Sequence, residues 1–540
     1  MRAFAELLDR LSLTGSRNAK LTLVRDYLRA TPDPDRGWAL AALTGELVFD
    51  AAKPAFIRKA VEARMDAQLF AWSYDYVGDL AEAVSLVWPR RPGANREPQL
   101  SEVVDGLRAA SRAEAQALIE GWLDAMADPR ERWALLKLMT GALRVGLSAR
   151  LAKQATADLG GVPVAEVEEL WHALHPPYED LLAWLEGRSE KPSSENPGRF
   201  RPAMLAQAID EAVDFARLDP ADYAAEWKWD GIRVQAVNEG GVRRLYTRTG
   251  DDISGTFPDL LDALTDEGVI DGELLVIREG RLASFGDLQQ RLNRKSVDAK
   301  LMAAYPAAIR AYDLLAEGAQ DIRTLPFAER RRRLEAFVAR QAFGRIDLSP
   351  LQPFETWSEL AALRAQPPAG DAQSAEGLML KRWESIYEAG RPKGPWFKWK
   401  RDPYLIDAVL MYAQRGHGKR SSFYSDYTFG VWTTDAAGAR VLTPVGKAYF
   451  GFTDEELKQL DKYVRDHTIE RFGPVRSVRA EPHAGLVLEV AFEGLQRSTR
   501  HKSGVAMRFP RIHRIRWDKP PGEADELATL ERLLAQMDGR

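Results

Sequence analysis

Through roughly the first 185 residues, apolar positions recur at spacings of three and four, the period of an amphipathic helix and not of a strand. The clearest run is RAEAQALIEGWLDAMADPRERWALLKLM, from Arg112 to Met139. Only Asp128-Pro129 interrupts it, which predicts the end of one helix and the start of the next. The run that follows, GALRVGLSARLAKQATADLGG, closes on a Gly pair, a helix stop. At the start of the chain, Phe4, Leu7, Leu8 and Leu11 form one apolar stripe, so this end reads as a helix and not as a basic-then-apolar leader. No window reaches the roughly 18 to 20 unbroken apolar residues of a membrane-spanning helix.

The pattern then changes twice. Residues 187–200, GRSEKPSSENPGRF, are rich in Ser, Pro, Gly and charge, and predict an interdomain linker. After 220, IRVQAVNEGGVRRLYTRTG and GVIDGELLVIREGRLASF alternate apolar and polar residues around Gly turns, as hairpins do. Helical stretches such as PFAERRRRLEAFVARQ punctuate them. Past 403 come short strands (YLIDAVLMYAQ, YTFGVWTT, LVLEVAFEGL) and one helix in TDEELKQLDKYVRDH, the make-up of a small Greek-key barrel such as an OB-fold. The expected organisation is multidomain: an all-α domain over 1–186, a linker over 187–200, an α+β domain over 201–403 and an OB-fold β-barrel over 404–540.

Charge changes this picture only once its distribution is read. The 540 residues carry 75 Lys+Arg and 79 Asp+Glu, a net charge of −4 that argues mildly against a nucleic-acid partner. Yet 130–153 holds six basic residues (Arg130, Arg132, Lys137, Arg144, Arg150, Lys153) and one acid, Glu131. From Leu495 to Lys519 there are eight (Arg497, Arg500, Lys502, Arg508, Arg511, Arg514, Arg516, Lys519) and one acid, Asp518. A whole-chain sum hides both stretches. The chain has no cysteine, which excludes disulfides, thiolate catalysis and Cys-ligated zinc or iron–sulfur sites.

The most informative stretch for chemistry is EWKWDGIRVQ, 226–235, with Lys228, Asp230, Gly231 and Arg233 at a turn between two expected strands. A lysine amine is a covalent nucleophile when nearby charge and burial lower its pKa. The alternative for a bare K-x-D-G is a surface lysine in a salt bridge beside a turn aspartate. The neighbouring segments favour the nucleophile.

EWKWDGIR resembles motif I of the covalent nucleotidyltransferases, the superfamily of ATP-dependent DNA ligases, RNA ligases and mRNA capping enzymes. The other motifs follow in order. YTRTGDDIS resembles the segment whose arginine contacts the nucleotide, which implies Arg248. VIDGELLV resembles motif III, with acids Asp271 and Glu273. AYDLL resembles the motif whose aromatic stacks on the purine, which gives Tyr312 that role. EGLMLKR resembles motif IV, with Glu376 and Lys381, and WFKWKR resembles motif V, with Lys398 and Lys400. RFPRIHRIRWDK resembles motif VI, carrying over Arg516, Asp518 and Lys519 as residues that orient pyrophosphate. The resemblance spans roughly 300 residues in six or seven ordered matches.

The chemistry needs these residue types. Attack of an amine on the α-phosphate of ATP builds negative charge on phosphate oxygens, which Lys398, Lys400 and Mg²⁺ would offset. Mg²⁺ prefers carboxylate oxygens, so Glu273 and Glu376 are the natural ligands. Arg233 and Arg248 suit ribose or phosphate contacts. Glu226 matches a family position beside the base, and Tyr312 and Met379 would sandwich the adenine. The segment EAGRPKGPWFK departs from the family spacing for a nucleotide-contacting arginine, and Arg391 is the best candidate in it.

The helical region points to one branch of the family. RERWALLKLMTGALRVGLSARLAKQA resembles the DNA-binding domain of three-domain ligases. Gly141 and Gly146 flank Arg144 in an expected turn, where backbone amides reach phosphates. Lys137, Arg144 and Gly146 are the candidate DNA contacts. The resemblance thus implies an ATP-dependent DNA ligase of three-domain bacterial form, using ATP and Mg²⁺ to seal nicked duplex DNA through a Lys228–AMP intermediate. A monomer in the cytoplasm, associated with the nucleoid and with no membrane partner, is expected. An RNA ligase or guanylyltransferase of the same superfamily, or a catalytically dead DNA-binding scaffold, are the alternatives. NAD-dependent ligases carry a four-cysteine zinc module, which this chain cannot build.

Overall fold

The computed structural model describes the chain apart from residues 50–53, 78, 92, 94–95, 142, 194–196, 293, 295–296, 342–343, 417–422, 500 and 539–540. Arg500 and the middle of the 187–200 segment therefore lie outside the described residues. The chain divides into two compact units, one of Met1–Val162, Pro176–Glu190 and Pro403–Gly539, the other of Pro163–His175 and Lys191–Asp402.

The first unit opens as helices. Phe4, Leu7, Leu8 and Leu11 are buried on the helix Arg2–Leu13, as the stripe requires. The helix Arg112–Ala125 stops short of Asp128, whose side chain accepts from the Arg130 amide at 2.8 Å and caps the next helix, Pro129–Thr140. Proline at a first helical position loses no intrahelical hydrogen bond, which is why the break falls there. Gly141 and Gly161 end two helices in the left-handed conformation, with φ of 66° and 65°.

The C-terminal part of this unit is β-rich and antiparallel. The strand Tyr404–Arg415 is central: it pairs with Tyr424–Thr434 on one side and with both Val475–Val478 and Val487–Phe492 on the other. Its inward residues Ile406, Ala408 and Leu410 share a core with Leu460 and Val464 from the helix Asp454–Asp466 and with Leu530 and Leu534 from Leu527–Asp538.

The second unit is α/β and built on two sheets. One has five strands in the order Gln207–Ala208, Trp396–Lys400, Gly377–Arg382, Tyr223–Lys228, Leu351–Gln352. The other runs Val242–Thr247, Ile232–Glu239, Gly268–Arg278, Ala307–Glu317, Gln320–Asp321, with two short strands on its flanks. Side chains alternate across a strand, so each sheet has one face for packing and one for chemistry. Ala225, Trp227, Leu378, Leu380, Phe397 and Trp399 pack one face of the first sheet. Val234, Ala236, Ile270, Leu274, Ile309 and Leu314 do the same for the second.

Candidate active site

The opposite faces of these sheets line a cavity of about 520 Å³. Lys228 ends the strand Tyr223–Lys228, and Glu226 precedes it by two residues, on the same face. Register carries that face across the sheet: Glu226 stands opposite Met379, which stands opposite Lys398. One step along, Lys228 stands opposite Gly377, and Gly377 opposite Lys400. Glu226, Lys228, Met379, Lys398 and Lys400 all line the cavity. From the second sheet come Arg233, paired in register with Glu273, and Tyr312. Arg248 and Arg391 reach the cavity from loops and are exposed.

Tyr312 owes its position to a β-bulge. Asp271 pairs with Asp313 and Gly272 with Ala311, so Tyr312 is the extra residue between them. A bulge of this kind re-aims one side chain out of the regular alternation.

Charge in the cavity is arranged as three sets. Lys228 is hydrogen-bonded to the Glu376 carboxylate, which lies 3.6 Å from Lys400 as well. Arg233 donates in bidentate fashion to Asp271, at 3.0 and 2.6 Å, and to the Met204 carbonyl at 2.6 Å. Tyr387 donates its hydroxyl to the same Asp271 oxygen at 2.7 Å. Burial opposes the charge on Arg233, but the Asp271 carboxylate holds its pKa well above the ordinary value. The third set is Lys381 and Glu226, 3.0 Å apart and each only 2% exposed. Lys381 also donates to the Tyr312 carbonyl at 3.0 Å, with its ammonium 4.5 Å from the Tyr312 ring and 4.6 Å from Trp396.

Glu273 and Lys398 are shifted as well. Burial pushes the Glu273 carboxyl up to about 8, against the opposing pull of Lys228 and Arg233 and with the help of Glu376 and Asp271. Burial, together with the cations Arg391, Lys400 and Lys228, lowers the Lys398 ammonium. A cation bound at Glu273 must displace that proton, and Glu273 and Glu376 offer the oxygen donors that a hard divalent ion takes.

The predicted residues fall in both units. Arg516, Asp518 and Lys519 sit on the β-rich part of the first unit. Arg516 donates to Asp518 at 2.8 Å and Lys519 to Asp407 at 2.7 Å. In the helical part, Arg144 is exposed, but Lys137 is turned inward, 12% exposed and 2.6 Å from Asp79. Gly146 has φ of 66° between two helices, and its carbonyl accepts from the buried Lys20 ammonium at 2.5 Å.

Lys381, Trp396, Thr247, Thr249 and Tyr387 also shape the site, four of them lining the cavity and Tyr387 holding Asp271. Lys381 was already marked by the resemblance of EGLMLKR, and strand alternation carried a signal for Trp396, which shares parity with Lys398 and Lys400. Tyr387 had none, because its partner is 116 residues away.

Comparison with known proteins places this geometry in a family. The model for the ATP dependent DNA ligase domain matches residues 203–400, that for the DNA ligase N terminus matches 1–157, and that for the ATP dependent DNA ligase C terminal region matches 420–519. A probable DNA ligase of Koribacter versatilis is 32% identical over 578 residues, 99% of this chain and 96% of the relative. DNA ligase 1 of Korarchaeum cryptofilum is 32% identical over 559 residues, 99% of this chain and 97% of its own. The chain belongs to the ATP-dependent DNA ligase family and is a DNA ligase enzyme. Its fold is shared with the solved structure described as Pmar-Lig_PreS3, which is 14% identical, has a TM-score of 0.57 and covers 95% of this chain and 99% of its own.

Proposed function

We propose that this enzyme seals nicks in duplex DNA in three steps, with Lys228 as the nucleophile of the first. The Lys228 amine attacks the α-phosphorus of ATP, an N–P bond forms, and pyrophosphate leaves with the electrons of the broken P–O bond. The AMP then passes to the 5′-phosphate at the nick, which releases the Lys228 amine. Attack by the 3′-hydroxyl on that phosphate finally joins the strands and expels AMP. The observation that carries this reading is the placement of Lys228 in the cavity, hydrogen-bonded to Glu376 and one glycine away from Lys400 across the sheet.

The other residues fit roles around that step. Glu376 orients the Lys228 ammonium and is the nearest base for its proton. Lys398 and Lys400 face the charge that develops on phosphate oxygens. Tyr312 and Met379 would hold the purine between them, with Glu226 and Lys381 beside it. Arg233, Arg248 and Arg391 would contact ribose or phosphate. Mg²⁺ held by Glu273 and Glu376 would supply electrostatic stabilisation of the phosphates. We assign 1–186 to DNA binding, 201–403 to adenylation and 404–540 to an OB-fold, with 187–200 as linker. Arg144 and the backbone at Gly146 would meet DNA phosphates, and Arg516, Asp518 and Lys519 would act on the pyrophosphate side. A monomer working at the nucleoid fits this assignment.

Incubation with α-labelled ATP tests the first step. Label should become acid-labile and lysine-linked in the wild type and be absent from Lys228→Ala. Transfer from GTP alone, or label on the Lys228→Ala protein, overturns the assignment. Sealing of a nicked duplex with ATP and Mg²⁺ tests the remainder.

A further inference from the structure

The turn that brings Arg248 to the cavity is braced from outside. Within it, the Thr247 amide donates to the Asp251 carbonyl at 2.9 Å and the Gly250 amide to the Thr247 carbonyl at 3.0 Å. The Thr247 and Thr249 hydroxyls both donate to the Asp251 carboxylate, at 2.9 and 2.5 Å. These bonds set the shape of the turn but not its angle to the cavity. That angle depends on what the turn rests against.

It rests on His172. A Cβ placed on Gly250 would lie 2.7 Å from His172 Cε1 and 3.1 Å from Phe200, so the imidazole lies directly against the turn backbone. Gly250 has φ of 91°, a conformation that leaves only glycine at ease there. The His172 ring is 5.1 Å from that of Phe200 and 5.5 Å from that of Tyr246, and those two are 5.7 Å apart. Tyr246 precedes the turn and donates its hydroxyl to the Gly198 carbonyl at 2.7 Å.

His172 belongs to Pro163–His175, the helical segment that clusters with this unit although the rest of the helical region does not. Glu169 anchors the segment by accepting from Arg323 at 2.7 Å, and Glu166 by pairing with Lys191 at 2.8 Å. Both ties lie on the N-terminal side of His172 and hold its segment to this unit.

We propose that His172 is a positioning residue for ATP: by filling the space behind Gly250 it holds the Thr247–Asp251 turn so that Arg248 faces the nucleotide. This rests on the reading of the cavity as the ATP site. His172 is not among the residues that line the cavity, so its loss should weaken nucleotide binding and spare the chemical step.

The test is self-adenylylation of the full chain across ATP concentrations. His172→Ala should raise KM for ATP about tenfold with kcat within about twofold, the signature of lost uniform binding. His172→Phe, which keeps a ring against Phe200 and Tyr246, should stay within about threefold of wild type and guards against a folding defect in the alanine variant. In an Arg248→Ala background, His172→Ala should add less than about twofold, because the two act through one turn. An unchanged KM in His172→Ala, an equal loss in both His172 variants, or full additivity with Arg248→Ala would each overturn the proposal. If the wild type takes no label from ATP at all, the nucleotide reading falls and takes the proposal with it. A labelled wild type with a normal His172→Ala variant sinks the His172 assignment alone.

Discussion

Gly377 separates two cationic side chains that the site keeps apart. It stands between Lys228 and Lys400 in register with φ of 145°, and the Glu376 carboxylate just before it reaches both amines. A Cβ there would lie 2.2 Å from the Trp399 carbonyl oxygen and 2.7 Å from the Lys400 Cα, backbone atoms that cannot yield. Gly377→Ala should therefore destabilise the unit by more than about 3 kcal/mol, as overpacking against backbone does. Urea unfolding of the variant checks it, and a loss under about 1 kcal/mol would show that the strand can shift. At this scale Glu226, Lys228, Met379, Lys398 and Lys400 were named from the motif resemblance, and the register of three strands puts all five on the cavity. The partner of Glu226 was not readable. Lys381 lies far along the chain, and only the packing of two strands brings the pair to 3.0 Å.

Elements were legible where their period was strong and their ends were marked. The hairpin at Gly240-Gly241, the helix break at Asp128-Pro129 and the stop at Gly161 all follow from local chemistry. The bulge at Tyr312 left no local mark, since AYDLL reads as ordinary strand and the extra residue exists only relative to its neighbour. How one helix is tied to another was equally hidden. Arg36, on the helix Asp35–Thr44, is 6% exposed and donates to Asp33 at 2.7 and 2.9 Å and to Glu186 at 3.0 Å, just past the helix Glu179–Leu185. The Arg36 guanidinium, aided by Arg188, holds the Glu186 carboxyl down at about 2 against an ordinary 4.5. A depressed carboxyl gives stability that is complete above pH 4.5 and is lost as pH falls towards about 2. Glu186→Gln should lower stability at neutral pH by roughly 1 to 2 kcal/mol, a figure reduced for the partial exposure of the carboxylate. Thermal melts from neutral pH down to about pH 3 should show the gap between variant and wild type narrowing below about pH 4.5. A gap that stays constant would place its cause elsewhere.

At the scale of the whole molecule, counting charge by sequence window misjudges what DNA would meet. The 130–153 stretch holds six basic residues, yet Arg132 is buried and donates to the carbonyls of Ser85, Met126 and Ala127, and Lys137 pairs with Asp79. The 495–519 stretch shows one acid in sequence, but acids from outside it close in through the fold. Arg511 lies 3.6 Å from Glu493, Arg514 3.8 Å from Glu489, and Lys519 2.7 Å from Asp407. Burial and long-range pairing are properties of the folded chain, so no window of sequence reveals them. The salt dependence of binding to a nicked duplex makes the distinction measurable. Each cation that neutralises a phosphate contributes about 0.9 to the slope of log K against log salt. Arg144→Ala, at an exposed position in the turn between two helices, should lower that slope by about 0.9 and weaken binding to nicked and intact duplex alike. Lys137→Ala should leave the slope unchanged and instead destabilise the helical part of the chain by about 0.5 to 1 kcal/mol, because it removes the cation beside Asp79, whose other oxygen still caps the helix Leu80–Val87. If Lys137→Ala lowers the slope as much as Arg144→Ala does, the side chain must leave Asp79 when DNA binds, and the ion pair would then be a resting state of a DNA contact.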